Sequence, residues 1–190
     1  MFFQKGQQMV KNFRNIHIYL SLFFLPVALM YALTGIVYIC GFNQDVGATK
    51  QTYTLTQNIE KGKEVEAITE FLKNNNLAIP SNLTPKKGRN GTLEIGGVHY
   101  SVSLMQTSDS TYNLTTLKRS ILGDMIMLHK AKAMWYFNVL AIGFGLTLVL
   151  LYVSGLMITL FNIKKNRKSQ YVTLILGFAI TLVIGILSVA

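Results

Sequence analysis

Three histidines are the side chains of this sequence with the widest choice of chemistry. A neutral imidazole can ligate a metal ion or a haem iron, and it can also transfer protons near neutral pH. His17 lies at the beginning of one long apolar run and His129 lies just before another, whereas His99 falls in a segment of alternating polar and apolar residues. His99 is therefore predicted to be a surface or half-buried residue. His17 and His129 remain as the candidates for chemistry.

A haem bound by two histidines needs both ligating nitrogens at about 2 Å from one iron. Crossing the membrane core separates His17 from His129 by roughly 30 Å, so these two cannot hold one haem within a chain. Two arrangements stay open. Met157 could join His17 in a mixed Met/His set, or a dimer could bring together two copies of His17 or of His129. In the simplest alternative both histidines are interfacial residues with a polar tip among the lipid headgroups.

Motifs of other chemistries do not accompany these histidines. The sequence has no glycine-rich phosphate loop, no His/Glu metal motif and no nucleophile elbow. Asp124 and His129 are close in sequence, but such a dyad without a nucleophile is not an active site. The single cysteine, Cys40, cannot form an intramolecular disulfide and is expected to be a small buried residue at a helix end. No catalytic residue and no metal-ion site is predicted.

Three apolar runs must position the histidines. Residues 16–40 and 134–163 are each long enough to cross a hydrocarbon core, which takes about 20 residues, and residues 171–190 are close to that minimum. All eight acidic residues lie between Asp45 and Asp124, because a carboxylate at bilayer depth is costly. The sequence therefore predicts three transmembrane helices, with a water-exposed domain between the first two.

Basic residues beside the apolar runs indicate the orientation. They cluster in the N-terminal segment 1–15 and in the short loop 164–170, and such clusters stay on the cytoplasmic side of a membrane. The domain between the spans is then periplasmic, in a bacterial inner membrane. The net charge of +10 does not indicate nucleic-acid binding, because residues 41–130 are nearly balanced in charge.

The segment 41–120 has the pattern of a small α+β domain. Apolar residues at helical spacing predict a helix over residues 63–74. Alternating residues predict three strands, at 92–95, 98–105 and 111–117. The simplest assembly is one helix on a three-stranded antiparallel sheet, in which strand 111–117 is an exposed edge that can accept a partner strand. Residues 121–133 follow as an amphipathic juxtamembrane helix.

Short motifs flank this domain on both sides. The first span opens with RNIHIYL and ends with ALTGIVY, and the strand TYNLTTL leads to LHKAKA and to a span that contains YVSGL. This layout, over residues 16–163, resembles the PepSY-associated transmembrane family, and the helix and strands between the spans resemble a PepSY domain. Thr34-Gly35 and Ser154-Gly155, each a hydroxyl residue followed by a glycine, then occupy equivalent positions in the two spans and are called hydroxyl-glycine steps.

The resemblance implies one of two functions. Some members of that family are inner-membrane ferric or ferric-siderophore reductases, which carry b-type haems held by histidines of the spans. Other PepSY proteins are non-catalytic and bind or restrain partner proteins such as peptidases. This chain has fewer spans and fewer paired histidines than the reductases, which favours the second group.

The preferred prediction is therefore a non-catalytic accessory protein, without a cofactor, that binds a partner protein through its periplasmic domain. The alternative is a membrane subunit of a ferric or ferric-siderophore reductase, with haem b held by His17, His129 or Met157. The expected partners are the lipid bilayer and another membrane or periplasmic protein, or a second copy of the chain. Nucleic acid is not an expected partner.

Overall fold

Long helices and one β-sheet domain alternate along the chain. The computed structural model describes residues 2–88, 91–162 and 166–190. The elements, in chain order, are α1 (Phe2–Ile39), β1 (Thr49–Thr56), α2 (Glu64–Asn74), β2 (Lys86–Lys87), β3 (Leu93–Gly96), β4 (Tyr100–Ser108), β5 (Thr111–Lys118), α3 (Ile121–His129), α4 (Trp135–Leu156), a π-helical turn (Met157–Asn162) and α5 (Arg167–Val189).

Three of the helices are long and apolar enough to cross a membrane. The candidate spans are Lys11–Ile39 in α1, Trp135–Thr159 in α4 and the following turn, and Arg167–Val189 in α5. The prediction of three transmembrane helices with an α+β domain between the first two is therefore confirmed. Helix α1 also extends back to Phe2 through the basic N-terminal segment, because the lysine and glutamine residues there are good helix formers.

The chain divides into two compact units. The helical unit combines α1 up to Ala28 with the chain from Leu140 onwards, and the domain unit is Leu29–Val139. In the helical unit α1 packs on α4 through Phe24, which is buried with its ring centroid 5.8 Å from that of Phe144. No described residue of α5 is buried, so this helix presents its surface to lipid or to another protein.

The sheet of the domain unit has five antiparallel strands in the order β1-β5-β4-β3-β2, where the sequence predicted three. Strand β1 pairs with β5 along its whole length, from Thr49 opposite Lys118 to Thr56 opposite Thr111. The prediction that strand 111–117 is an edge is therefore wrong, because β1 covers it. The edges are β1 itself and the two-residue β2. Strand β1 escaped prediction because Tyr53 and Leu55 are its only apolar residues.

One face of the sheet packs against α2. The core consists of Leu55, Ile68, Leu72, Ile95, Val102, Leu104, Tyr112 and Leu114. Ile68 and Leu72 of α2 are completely buried and lie four residues apart, which is the spacing that puts them on one side of a helix. At the margin of this core, burial raises the pKa of the Tyr100 phenol, and the neighbouring Tyr53 adds to the rise.

Helix α3 is attached to the domain by polar contacts at its first turn. The Ser120 hydroxyl accepts a hydrogen bond from the Gly123 amide at 3.1 Å and donates one to the Val46 carbonyl at 2.6 Å, so it caps the helix and ties it to the preceding loop. Asp124 accepts a hydrogen bond from His99 at 2.6 Å. The helix is therefore held by the domain and ends at His129.

Two other predicted features have a clear outcome. His99 is exposed, as predicted, and lies outside any cavity described below. Cys40 is exposed at the end of α1, so the prediction that it is a buried residue is wrong. Helix α1 ends one residue earlier, at Ile39.

Candidate functional site

His17 lies in the helical unit, where α1 faces α4. Its Nδ1 atom is 3.0 Å from the hydroxyl oxygen of Ser154, a residue that is only 4% exposed. Its Cε1 atom lies beside Gly155, because a β-carbon built on this glycine would be 3.9 Å away. The packing of two apolar helices thus places an imidazole ring against a hydroxyl group and a glycine.

A cavity of about 420 Å³ opens beside the His17 ring. It is lined by His17, Leu148, Leu151, Tyr152, Gly155, Leu156 and Thr159. Apart from the imidazole, its polar groups are the hydroxyls of Tyr152 and Thr159, and the Thr159 hydroxyl already donates to the Gly155 carbonyl at 2.8 Å. Met157, the predicted partner of His17 in a mixed ligand set, is not among these lining residues and lies in the π-helical turn.

His129 lies in the domain unit, at the end of α3, and faces the last part of α1. Its Nδ1 atom is 2.7 Å from the hydroxyl oxygen of Thr34, a residue that is 1% exposed. The ring packs on Tyr31 with the two centroids 4.4 Å apart and the planes inclined by 30°. Its Cε1 atom lies beside Gly35, at 3.9 Å from a β-carbon built there.

The cavity beside His129 is smaller, about 170 Å³, and carries a positive charge. It is lined by Thr34, Gly35, Tyr38, Ile126, His129 and Lys130. The Lys130 ammonium lies 4.4 Å from the centroid of the Tyr38 ring and donates a hydrogen bond to the Gln44 side chain at 2.8 Å. This cavity therefore combines an imidazole, a cation and an apolar wall.

The two sites repeat one pattern. In each, a histidine Nδ1 meets a buried hydroxyl, and the residue after the hydroxyl is a glycine beside the ring. Helix α1 supplies the histidine to one site and the hydroxyl-glycine step to the other. The sequence marked Thr34-Gly35 and Ser154-Gly155 as equivalent steps, but their pairing with His129 and His17 came only from the structure.

The number of potential ligands near each histidine indicates whether the ring suits a free metal ion or a haem. Among the described residues no three His, Cys, Asp or Glu side chains lie together as a metal-binding group. A bare divalent ion takes about four or more protein or water ligands, so one isolated imidazole is a poor site for it. A porphyrin supplies four nitrogen ligands itself, and a haem iron then needs only one or two axial ligands from protein. The residues present therefore fit a haem better than a free metal ion.

The sizes of the cavities show what one chain lacks. Sites for ligands of drug size have volumes of about 300–1,000 Å³. The 170 Å³ cavity at His129 is smaller than this range, and the 420 Å³ cavity at His17 is near its lower end. A porphyrin at His129 would therefore extend beyond the walls that the described residues of one chain provide.

A family model described as PepSY-associated TM region matches residues 1–161. This chain belongs to that family. The matched range of this PepSY-associated protein includes His17 and His129 and both hydroxyl-glycine steps, and it ends before α5. No curated protein and no solved structure matches the chain. Family membership together with the three apolar helices makes the chain a membrane protein of the PepSY-associated group.

Proposed function

We propose that this PepSY-associated protein is a haem-binding membrane subunit, in which His17 and His129 would hold two separate b-type haems. The observation that carries the proposal is the setting of each imidazole: a single ring, held through Nδ1 by a buried hydroxyl, lines a cavity, and no group of three His, Cys, Asp or Glu side chains lies among the described residues. Ionisable residues at membrane depth are rare and commonly mark functional sites.

Each haem would be held by the same histidine of two chains. Two features support a homodimer over a mixed His17–Met157 set. Met157 does not line the cavity at His17, and the cavity at His129 is too small for a porphyrin without walls from another molecule. The uncovered surface of α5 leaves room for protein contacts in the membrane.

The orientation of the chain follows the basic residues. Lys11 and Arg14 lie in the first turns of the first candidate span, and Arg167 and Lys168 begin the third; basic residues at these span ends favour the cytoplasmic side of a bacterial membrane. His17 then serves the cytoplasmic half of the inner membrane, and His129 serves the periplasmic half. A bound haem would supply an iron centre that accepts and releases one electron. The Ser154 and Thr34 hydroxyls hold and orient the imidazole rings of His17 and His129.

The visible spectrum of the purified full-length protein tests this function. We expect a Soret band in the wild type and about one haem per chain, since two haems would be shared by two chains. His17→Ala and His129→Ala should each remove about half of the haem, and the double variant should remove all of it. His99→Ala is the matched control, because its ring pairs with Asp124 away from both cavities. A mixed ligand set predicts loss of haem in Met157→Leu, and the dimer predicts none.

A non-catalytic accessory role is the second candidate, and strand β1 favours it. This strand has eight residues and, within the described part of the chain, pairs with β5 alone, so that it forms a free edge of the sheet. An exposed edge can bind an extended segment of a partner through main-chain hydrogen bonds. The partner in this case would be a periplasmic or membrane protein.

Site-specific photocrosslinking in cells tests this second candidate. A crosslinker at exposed Lys50 of β1 should capture a partner if the edge is used, whereas one at exposed Lys61, outside the sheet, should not. Equal capture at both positions, or at neither, contradicts an edge-binding role. A wild-type protein that contains no haem and still gives the Lys50 product would favour the accessory role over the haem subunit.

A further inference from the structure

The direction of the hydrogen bonds at the two histidines can be read from the helices. We propose that Ser154 and Thr34 are positioning residues that hold His17 and His129 in the Nδ1–H tautomer, so that the Nε2 atom of each ring carries the free lone pair. The use of that lone pair for a haem rests on the proposed function, but the tautomer itself does not.

The Ser154 hydroxyl has a single hydrogen to donate. Its oxygen lies 3.0 Å from the carbonyl oxygen of Leu151 in the same helix and 3.0 Å from His17 Nδ1. A carbonyl can only accept, so the hydroxyl must be the donor in the first contact. With its hydrogen directed to Leu151, the Ser154 oxygen can only accept from the ring. His17 Nδ1 must then carry a hydrogen.

Thr34 repeats this arrangement with shorter distances. Its hydroxyl donates to the carbonyl of Met30 at 2.6 Å, one helical turn earlier, and lies 2.7 Å from His129 Nδ1. A second carbonyl, of Tyr31, lies at 3.3 Å and can also only accept. The threonine oxygen is therefore the acceptor for His129, and His129 Nδ1 is the donor.

The opposite tautomer would make fewer hydrogen bonds. If Nδ1 carried the lone pair, the hydroxyl hydrogen would turn towards the ring and leave its contact with the helix carbonyl unused. The displaced hydrogen would sit on Nε2, and no hydrogen bond from the described residues reaches Nε2 of His17 or of His129. The Nδ1–H form therefore makes two hydrogen bonds at each hydroxyl, one with the ring and one with the helix carbonyl, whereas the opposite form makes only one. Both hydroxyls therefore select the same tautomer.

The glycine in each step has a different and weaker role. A β-carbon on Gly155 or on Gly35 would be 3.9 Å from the ring carbon Cε1, which is an ordinary van der Waals distance. An alanine at either position is therefore expected to leave the ring in place. Substitutions of the two residues should therefore have different effects. Loss of the hydroxyl should change the tautomer of the histidine, whereas loss of the glycine should not.

Nitrogen-15 NMR of the full-length chain in nanodiscs, produced under haem limitation and labelled at histidine, measures the tautomer directly. We expect His17 and His129 to have a protonated Nδ1 and a bare Nε2 at a pH where the rings are neutral. Ser154→Ala should shift His17 alone towards the Nε2–H form, and Thr34→Val should shift His129 alone, each with a change of about fivefold or more in the tautomer ratio.

Three kinds of control keep the test specific. Thr181→Val removes the same type of hydroxyl–carbonyl contact in α5, where no histidine is bound, and should move neither ring. Ser154→Thr and Thr34→Ser keep a hydroxyl and should keep the wild-type tautomers, as should Gly155→Ala. If a variant does not fold, the wild-type tautomers alone decide the question.

A protonated Nε2 in wild-type His17 or His129 would overturn the inference, and so would tautomers that are unaffected by Ser154→Ala and Thr34→Val. The haem is absent from this measurement, so its result is independent of haem loading. If the tautomers are as expected but the wild type never takes up haem, the positioning role stands and the proposed function fails.

Discussion

Replacing Thr34 by valine should weaken haem binding at His129 without changing the shape of the site. Valine has nearly the same volume as threonine, so the completely buried position stays filled, but the 2.7 Å contact with Nδ1 is lost. The ring nitrogen then keeps a hydrogen without an acceptor or changes tautomer, at a cost of about 1–3 kcal/mol. The middle of this range, about 2 kcal/mol, corresponds to a loss of haem affinity of about thirtyfold.

Haem titration of the haem-free protein, followed at the Soret band, measures this loss. The variant should be compared in the His17→Ala background, where only the His129 site can bind. Thr181→Val is the matched control, because it removes a hydroxyl that bonds a helix carbonyl but touches no histidine. Thr34→Ser should bind within about twofold of the parent protein, since it keeps the acceptor. Equal affinities for Thr34→Val and Thr181→Val would refute the positioning role in haem binding.

Two further predictions concern the domain. Ile68→Ala should lower the free energy of unfolding by about 2–5 kcal/mol, because it opens a cavity in the core. Glu66→Ala, on the exposed side of α2, should change this free energy by less than about 1 kcal/mol. Chemical denaturation measures both values. Gly123→Ala should loosen α3, since a β-carbon there would be 2.5 Å from the Gln44 carbonyl oxygen, whereas Gly97→Ala has open space. Hydrogen exchange at α3 amides checks the second prediction, and equal protection in both glycine variants would contradict it.

Segments with strong apolar patterns were predictable from the sequence. The three membrane helices follow from the length of apolar runs, and α2 follows from apolar residues at helical spacing, which the burial of Ile68 and Leu72 confirms. Strands β3, β4 and β5 were also found, because each alternates polar and apolar residues. Local composition is sufficient for elements of this kind.

Features that depend on distant contacts were not predictable. The sequence did not place β1 in the sheet, because its largely polar residues are selected by pairing with β5 and not by burial, and the edge was therefore assigned to the wrong strand. The hydrogen bonds of His17 with Ser154 and of His129 with Thr34 join residues 137 and 95 positions apart. Contacts of this kind depend on how helices pack, which no local pattern encodes.

Quantitative haem analysis of the purified protein tests the central claim most directly. Pyridine haemochrome spectra of the wild type should give about one b-type haem per chain, with about half of it lost in His17→Ala, half in His129→Ala and none in His99→Ala. A wild-type protein that is folded, binds no haem when haem is supplied, and takes up none in membranes would contradict the account.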